Sequence, residues 1–135
     1  MYRNIRITIS YIKIMNDYRS LALSEIETLE RNGCYADDWG NVNVAEDFQP
    51  EHISNVAFYG VVNLGVFDEK IEVEEGFCRH SGIRNATLCD VTIGDNCLIE
   101  NIGNHICRYT IGERCYISNV GVIASSSAAE YGEGT

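Results

Sequence analysis

The apolar residues of the C-terminal half recur at a spacing that neither a helix nor an isolated strand produces. Ile93, Ile99, Ile111, Ile117 and Ile123 stand on a series of six, which only His105 interrupts. A helix repeats its apolar face every three to four residues, and a half-buried strand every two. The six lies within a period of eighteen. Cys89–Ile106 laid over Cys107–Ala124 gives eight identities in eighteen positions, among them Thr92/Thr110, Ile93/Ile111, Gly94/Gly112 and Asn101/Asn119. A fixed period takes precedence over residue-level signals because it sets the architecture. Six within eighteen predicts a triangular coil of three short strands, with one branched residue per side pointing inward and a tight turn after each side.

The same unit begins earlier, in looser register. Ile53-Ser54-Asn55-Val56 returns verbatim as Ile117-Ser118-Asn119-Val120, and Ile83-Arg84-Asn85-Ala86 and Ile99-Glu100-Asn101-Ile102 are variants. An apolar-Gly pair follows the first three of these in chain order: Leu64-Gly65, Ile93-Gly94 and Ile111-Gly112. Asn and Gly belong at such places, since corners demand backbone angles that those residues adopt at low cost. Between the first two units, Phe67–His80 is too acidic and irregular for a coil and is expected to loop out or form a hairpin.

Upstream the period changes. Leu21–Asn32 predicts a short helix, with Ser24 and Glu27 as a capping box, Ile26 and Leu29 on one face, and Asn32-Gly33 as the stop. Its expected role is to cap the open end of the coil, covering apolar interior and free strand edges. Gly33–Pro50 reads as a connector with a short strand around Val42 and Val44. The Asp37-Asp38-Trp39 run in it reads as a solvated turn beside a docking aromatic rather than as a metal or sugar site. Residues 1–14 carry Arg3, Arg6 and Lys13 and no acid; they read as an extension upstream of a start at Met15, or as a loosely packed strand of a chain that starts at Met1. The expected organisation is therefore extension 1–14, helix and connector 15–52, and coils 53–135. The run stops in mid-hexapeptide at Thr135, which reads as truncation of a longer protein.

The strings IGDNCL, IGERCY and YGEGT resemble the hexapeptide repeats of left-handed parallel β-helix proteins, with Cys97, Cys115 and Thr135 at the small corner position. The order NGCYADDW, VNVAEDFQP, ISNVAFYG and the IGDN coils resembles an uncharacterised bacterial family of large proteins of that kind. That family is related by fold to the β-helix tails of sugar-nucleotidyltransferases and to hexapeptide acyltransferases. The resemblance implies a mainly β chain, a left-handed parallel β-helix (hexapeptide-repeat solenoid) preceded by a short capping helix, and carries no proven activity.

Charge narrows the partners. Twenty acidic against ten basic residues leave a net charge of −10, which argues against nucleic acid or an anionic membrane. No run is long enough to span a bilayer as a helix. Six cysteines without a CxxC pair give little support to zinc; as small apolar residues at corners they read as free thiols of a cytoplasmic protein.

Three histidines are the candidates for acid–base chemistry. Acyltransferases of the resembled type use a His on a coil or loop as general base. His105 falls on an inward position, displaced by Ile106; His52 precedes a strand beside Glu51 and reads as exposed; His80, in the loop CRHSG, has the best reach and is the one candidate base. No phosphate loop, triad or spaced calcium ligand set accompanies them, so no catalytic, cofactor or metal site is assigned. Two functions follow: the start of a transferase acting on nucleotide sugars or acyl donors, itself not catalytic, or a non-catalytic scaffold that self-associates through its coil faces.

Overall fold

The computed structural model describes residues 18–131. The extension 1–14, the start at Met15, the break at Thr135 and the burial expected of Ile123 lie outside what is described. The fold grows from two long strands, β4 (Ile53–Leu64) and β7 (Gly82–Ile93), paired in parallel. Each contains a residue in the left-handed region near its start, Asn55 at φ 53° and Asn85 at φ 56°. That kink slips the in–out alternation by one, so Ile53, Val56 and Phe58 all face the core, as do Ile83, Ala86 and Leu88. Among the described residues five Asn, Asp90, Arg108 and Arg114 adopt positive φ. The conformation costs most residues about 1–2 kcal/mol, and Asn and Asp, whose short polar side chains bond locally, visit it more readily.

The ladder continues from β7. Its first half pairs with β8 (Leu98–Glu100), which pairs with β10 (Tyr116–Ser118); its second half pairs with β9 (His105–Ile111), which pairs with β11 (Val122–Tyr131), all in parallel. Ile53, Ile83, Ile99 and Ile117 thus lie opposite one another in turn, the alignment that the I-x-N unit implies. On the other side of β4 sit β2 (Tyr35–Ala36) and β3 (Val42–Ala45), both parallel to it, and β1 (Tyr18–Ser20) runs antiparallel to β3. Phe67–His80 contains the expected hairpin, β5 (Lys70–Glu74) against β6 (Phe77–His80).

The left-handed hexapeptide solenoid is corrected by this topology. The described strands form one nine-stranded mixed sheet with an antiparallel edge, beside a separate two-stranded ribbon. A hexapeptide coil would demand one constant offset between rungs. Here Ile53 pairs with Ile83, Ile83 with Ile99 and Ile99 with Ile117, offsets of thirty, sixteen and eighteen residues. The period found in the sequence is thus the register of particular parallel pairs, and the repeat does not extend as a uniform class-defining unit.

The capping helix is corrected as well. The helix α1 (Leu23–Arg31) starts after Ala22, whose N–H donates to the Glu25 carboxylate at 2.9 Å, so the cap lies two residues before Ser24. Arg19 clamps the same carboxylate through two hydrogen bonds of 2.8 and 2.9 Å. The helix lies along the flank of the fold. Leu29 is buried in the core, and Asn32 donates its amide to the Ile53 carbonyl at 3.1 Å. These contacts tie it to the start of β4; they do not make it a lid on an open end. Trp39 packs on Phe58 at 5.9 Å and donates to Glu30, and Asp38 caps the turn at Gly40, the docking role read for that run. Among the described residues no helix is long and apolar enough to cross a membrane.

Candidate functional site: the hairpin junction

His80 closes the β5–β6 hairpin, and the chain then enters β7 at Ser81-Gly82. Gly82 has φ +151°, and a Cβ there would collide with the His52 carbonyl, so the backbone crosses close over the start of β4. This crossing stacks the His80 ring on His52, centroids 3.6 Å apart and planes 16° from parallel. Nδ1 of His80 lies 2.8 Å from the Ser81 carbonyl, so it carries the proton and donates it there. His52, expected to be exposed, is half-buried. Burial holds its pKa below the ordinary value, with the His80 ring and Arg84 adding to the effect and Glu51 opposing it.

The buried polar residues of the described chain all gather here: Ser81, Asn96 and Glu100. Asn96 accepts on its Oδ1 from the backbone N–H groups of Asp68 and Glu69 at 3.0 and 3.1 Å, and from the Ser81 hydroxyl at 3.4 Å. Glu100 is only 5% exposed. Arg79, reaching down from the hairpin, engages both of its carboxylate oxygens, the Nη2 bond being 2.7 Å. Arg84, on the neighbouring rung, brings Nη1 to 3.9 Å of Oε1, the oxygen that Arg79 Nη2 engages, and that nitrogen is buried without a hydrogen bond. Glu100 in turn holds the Arg79 guanidinium above its ordinary pKa, with Tyr116 contributing. A further ion pair, Arg114 with Glu69, pins the outer edge.

The sequence passed over Glu100, although a signal was present. The middle position of I-x-N is Ser in the outer two units and Arg84 and Glu100 in the inner two, which puts opposite charges on adjacent rungs. His105 does not join this cluster. It is half-buried on β9, with Nδ1 3.0 Å from the Asn104 side-chain oxygen, and Ile106 takes the core position in its place. Among the described residues no group of three or more His, Cys, Asp or Glu could hold a metal, the acidic hairpin included.

None of the six cysteines is in a disulfide: Cys89 and Cys107 sit on the parallel ladder, Cys78 on the hairpin, and Cys34, Cys97 and Cys115 outside the strands. Cys89 and Cys107 lie opposite each other, and burial together with the neighbouring thiol pushes Cys89 up to about 12. Cys97 is buried, donates to the Gly112 carbonyl at 2.9 Å, and is likewise pushed by burial to about 12. Such thiols are poor nucleophiles at neutral pH.

A separate groove of about 310 Å³ opens on another face, walled by Tyr35 and Asn104 and rimmed by Asn55 and Asn85. Between them the lining includes Ala57 and Thr87, which alternate with the core-facing Val56 and Ala86.

At the hairpin junction the His80 Nδ1 proton goes to the Ser81 carbonyl, the Ser81 hydroxyl to the Asn96 side-chain oxygen, and the Glu100 carboxylate takes both its hydrogen bonds from Arg79. One relative, an uncharacterized protein of Treponema pallidum (strain Nichols), is 32% identical over 97 residues, which are 66% of this chain and 13% of the relative. The chain therefore spans a small part of the length of that relative. No solved structure matches. A family described as "Domain of unknown function (DUF4954)" matches residues 18–135. This match takes the place of the hexapeptide β-helix family resembled by the repeats, and the chain belongs to the DUF4954 family.

Proposed function

We propose that this chain is a non-catalytic structural module that spaces and assembles the parts of a longer cytoplasmic protein. One observation carries the reading: Glu100, the buried carboxylate among the described residues, is held between Arg79 of the hairpin and Arg84 of the next rung. A carboxylate engaged on both oxygens by Arg79 and faced by Arg84 serves as a tie between hairpin and sheet. The other carboxylates near the corners act in the same way: Asp90 accepts from Val61 N–H and Asp95 from Val66 N–H, both at 2.9 Å. Free thiols fit a reducing compartment.

Exposed Val61 and Phe77 offer apolar points for contact with a second copy. Sedimentation velocity on the 135-residue chain tests assembly; a strict monomer at every concentration counts against it. Incubation with a nucleotide sugar or with acetyl-coenzyme A tests the chemistry. Turnover that His80→Ala abolishes would replace the scaffold by a transferase acting through His80.

A further inference from the structure

The groove between Tyr35 and Asn104 has an origin in the ladder register. Ile83 pairs with Ile99 and Leu88 with Ile106, so β9 reaches its rung two residues later than β7 does. The surplus is Gly103-Asn104, which bends outward and hydrogen-bonds to the Val120 and Gly121 carbonyls at 2.7 Å. This outward step is one wall. The opposite wall is Gly33 to Tyr35, where Gly33 sits at φ +87° and a Cβ would collide with the Asn55 side-chain oxygen. Between the walls the outward-facing side chains are those of Ala57 and Thr87, too small to fill the step.

The chemistry of the lining selects a ligand. None of the eleven lining residues is charged, in a chain of which 22% of residues are charged. A phosphate or nucleotide would need Arg, Lys or a helix N-terminus, and a divalent cation would need carboxylates. A peptide adding as a strand would need a free edge, but the floor is already paired, Ala57 to Thr87. What the groove does present is side-chain amides, a hydroxyl and an aromatic wall. Asn85 donates to Asn101 at 3.0 Å, which fixes its amide plane. His105 fixes Asn104 in the same way, its Nδ1–H donating to the Asn104 oxygen and leaving the Asn104 NH₂ group as the donor on offer. Tyr35 is 56% exposed and packs at 6.0 Å on Tyr59, giving a braced aromatic surface beside the groove. Oriented amides match vicinal hydroxyls, and an exposed ring matches the C–H face of a pyranose.

We propose that this groove binds a neutral saccharide. A cavity of 310 Å³ is at the low end of the roughly 300–1,000 Å³ usual for small-ligand sites, so the ligand is short. The test is titration of the isotope-labelled 135-residue chain with maltose, cellobiose and N,N′-diacetylchitobiose, with glucose 6-phosphate as the charged comparator, followed by backbone amide shifts. We expect at least one neutral disaccharide to shift the amides of Asn55, Thr87 and Asn104 saturably in the millimolar range or below, and the comparator not to. Tyr35→Ala should weaken that binding about tenfold or more. Thr87→Tyr, which fills the floor, should abolish it while leaving the remaining spectrum folded. Asn104→Ala, on the bend outside the ladder, gives the same reading if either variant fails to fold. No saturable shift with any of the three disaccharides, binding that survives a folded groove-filling variant, or tighter binding of the phosphate would each overturn the assignment.

Discussion

Replacing Arg79 by Met isolates the tie between hairpin and sheet. Met keeps most of the aliphatic stem and removes the guanidinium, so packing changes little. Glu100, 5% exposed, is then left with Arg84 at 3.9 Å and no hydrogen bond from it. Breaking a fully buried ion pair by removing one partner costs about 3–5 kcal/mol. Two features reduce the figure. The Arg79 side chain is 35% exposed, so part of its attraction is screened, and Arg84 still faces the carboxylate. The cost should therefore be about 2 kcal/mol, a fall of roughly 6–10 °C in melting temperature for a domain of this size.

Glu100→Gln in the Arg79→Met background should restore part of the loss, because the buried charge is gone. The double-mutant cycle should give a coupling of about 1–2 kcal/mol. Hydrogen exchange locates the effect. Amides of the hairpin, Lys70–His80, should lose protection in Arg79→Met while those of Ile83–Leu88 keep theirs. A coupling near zero, or a loss of protection spread evenly over both segments, would refute the idea that this pair docks the hairpin.

The pH profile has a sign fixed by His52. Its pKa in the fold lies below the ordinary 6.5, so the fold favours the neutral ring. The stabilisation is fully present above 6.5 and declines as pH falls from there towards the folded value. Melting temperature should drop between pH 7.5 and 5.5, and His52→Gln should flatten that drop. Glu25, held low first by its hydrogen bonds from Arg19, contributes above its ordinary 4.5 and loses the contribution as pH falls through the folded value, so Glu25→Gln should matter more at pH 6 than at pH 3. Asn85→Ala should cost about 1–2 kcal/mol in urea unfolding, and Asn85→Gly clearly less, because the left-handed backbone at φ 56° is what Ala resists. Under brief alkylation at pH 8, mass spectrometry should find exposed Cys78 modified first and Cys97, pushed to about 12, last.

The sequence carried the ladder in its apolar positions and lost it in its offsets. The I-x-N unit located four core isoleucines that do pair, because an αL residue two positions after a core Ile leaves a mark in composition: Asn is cheap there and most residues are not. The hairpin was legible for the opposite reason, as the one stretch where the pattern fails. A short repeat over two clean units, however, does not set the global class. It fixes which residues lie opposite each other locally. The offsets of thirty and sixteen on the neighbouring rungs come from a hairpin insertion and a shortened turn that identity counting does not see. The helix boundary shifted for a related reason: the cap is made by Glu25 and Arg19 across six residues, and not by a local hydroxyl.

The two sites differ in how far they could have been read, and the difference is instructive about what a sequence encodes. The hairpin junction depends on charge complementarity between rungs, Arg84 against Glu100, which becomes visible once the register is known. The groove depends on what is missing. Its floor is low because Ala57 and Thr87 are small, and its wall stands out because Gly103-Asn104 has no counterpart on β7. In a linear reading those same residues look like imperfections in the repeat: delays of ten, eleven and twelve residues between core Ile and apolar-Gly pair, and a His105 that spoils the series of six. Each irregularity has a structural consequence. The two extra residues push Ile106 into the core in place of His105, and His105 then turns to hold Asn104 at the groove wall. Deleting Gly103 and Asn104 together should therefore restore the regular rung and erase the groove in one step. A chain so shortened should still unfold cooperatively, with the β7–β9 pairing kept, but lose the amide shifts with every disaccharide. If it bound them unchanged, the outward step would have no part in recognition, and the saccharide reading would have to move elsewhere on the surface.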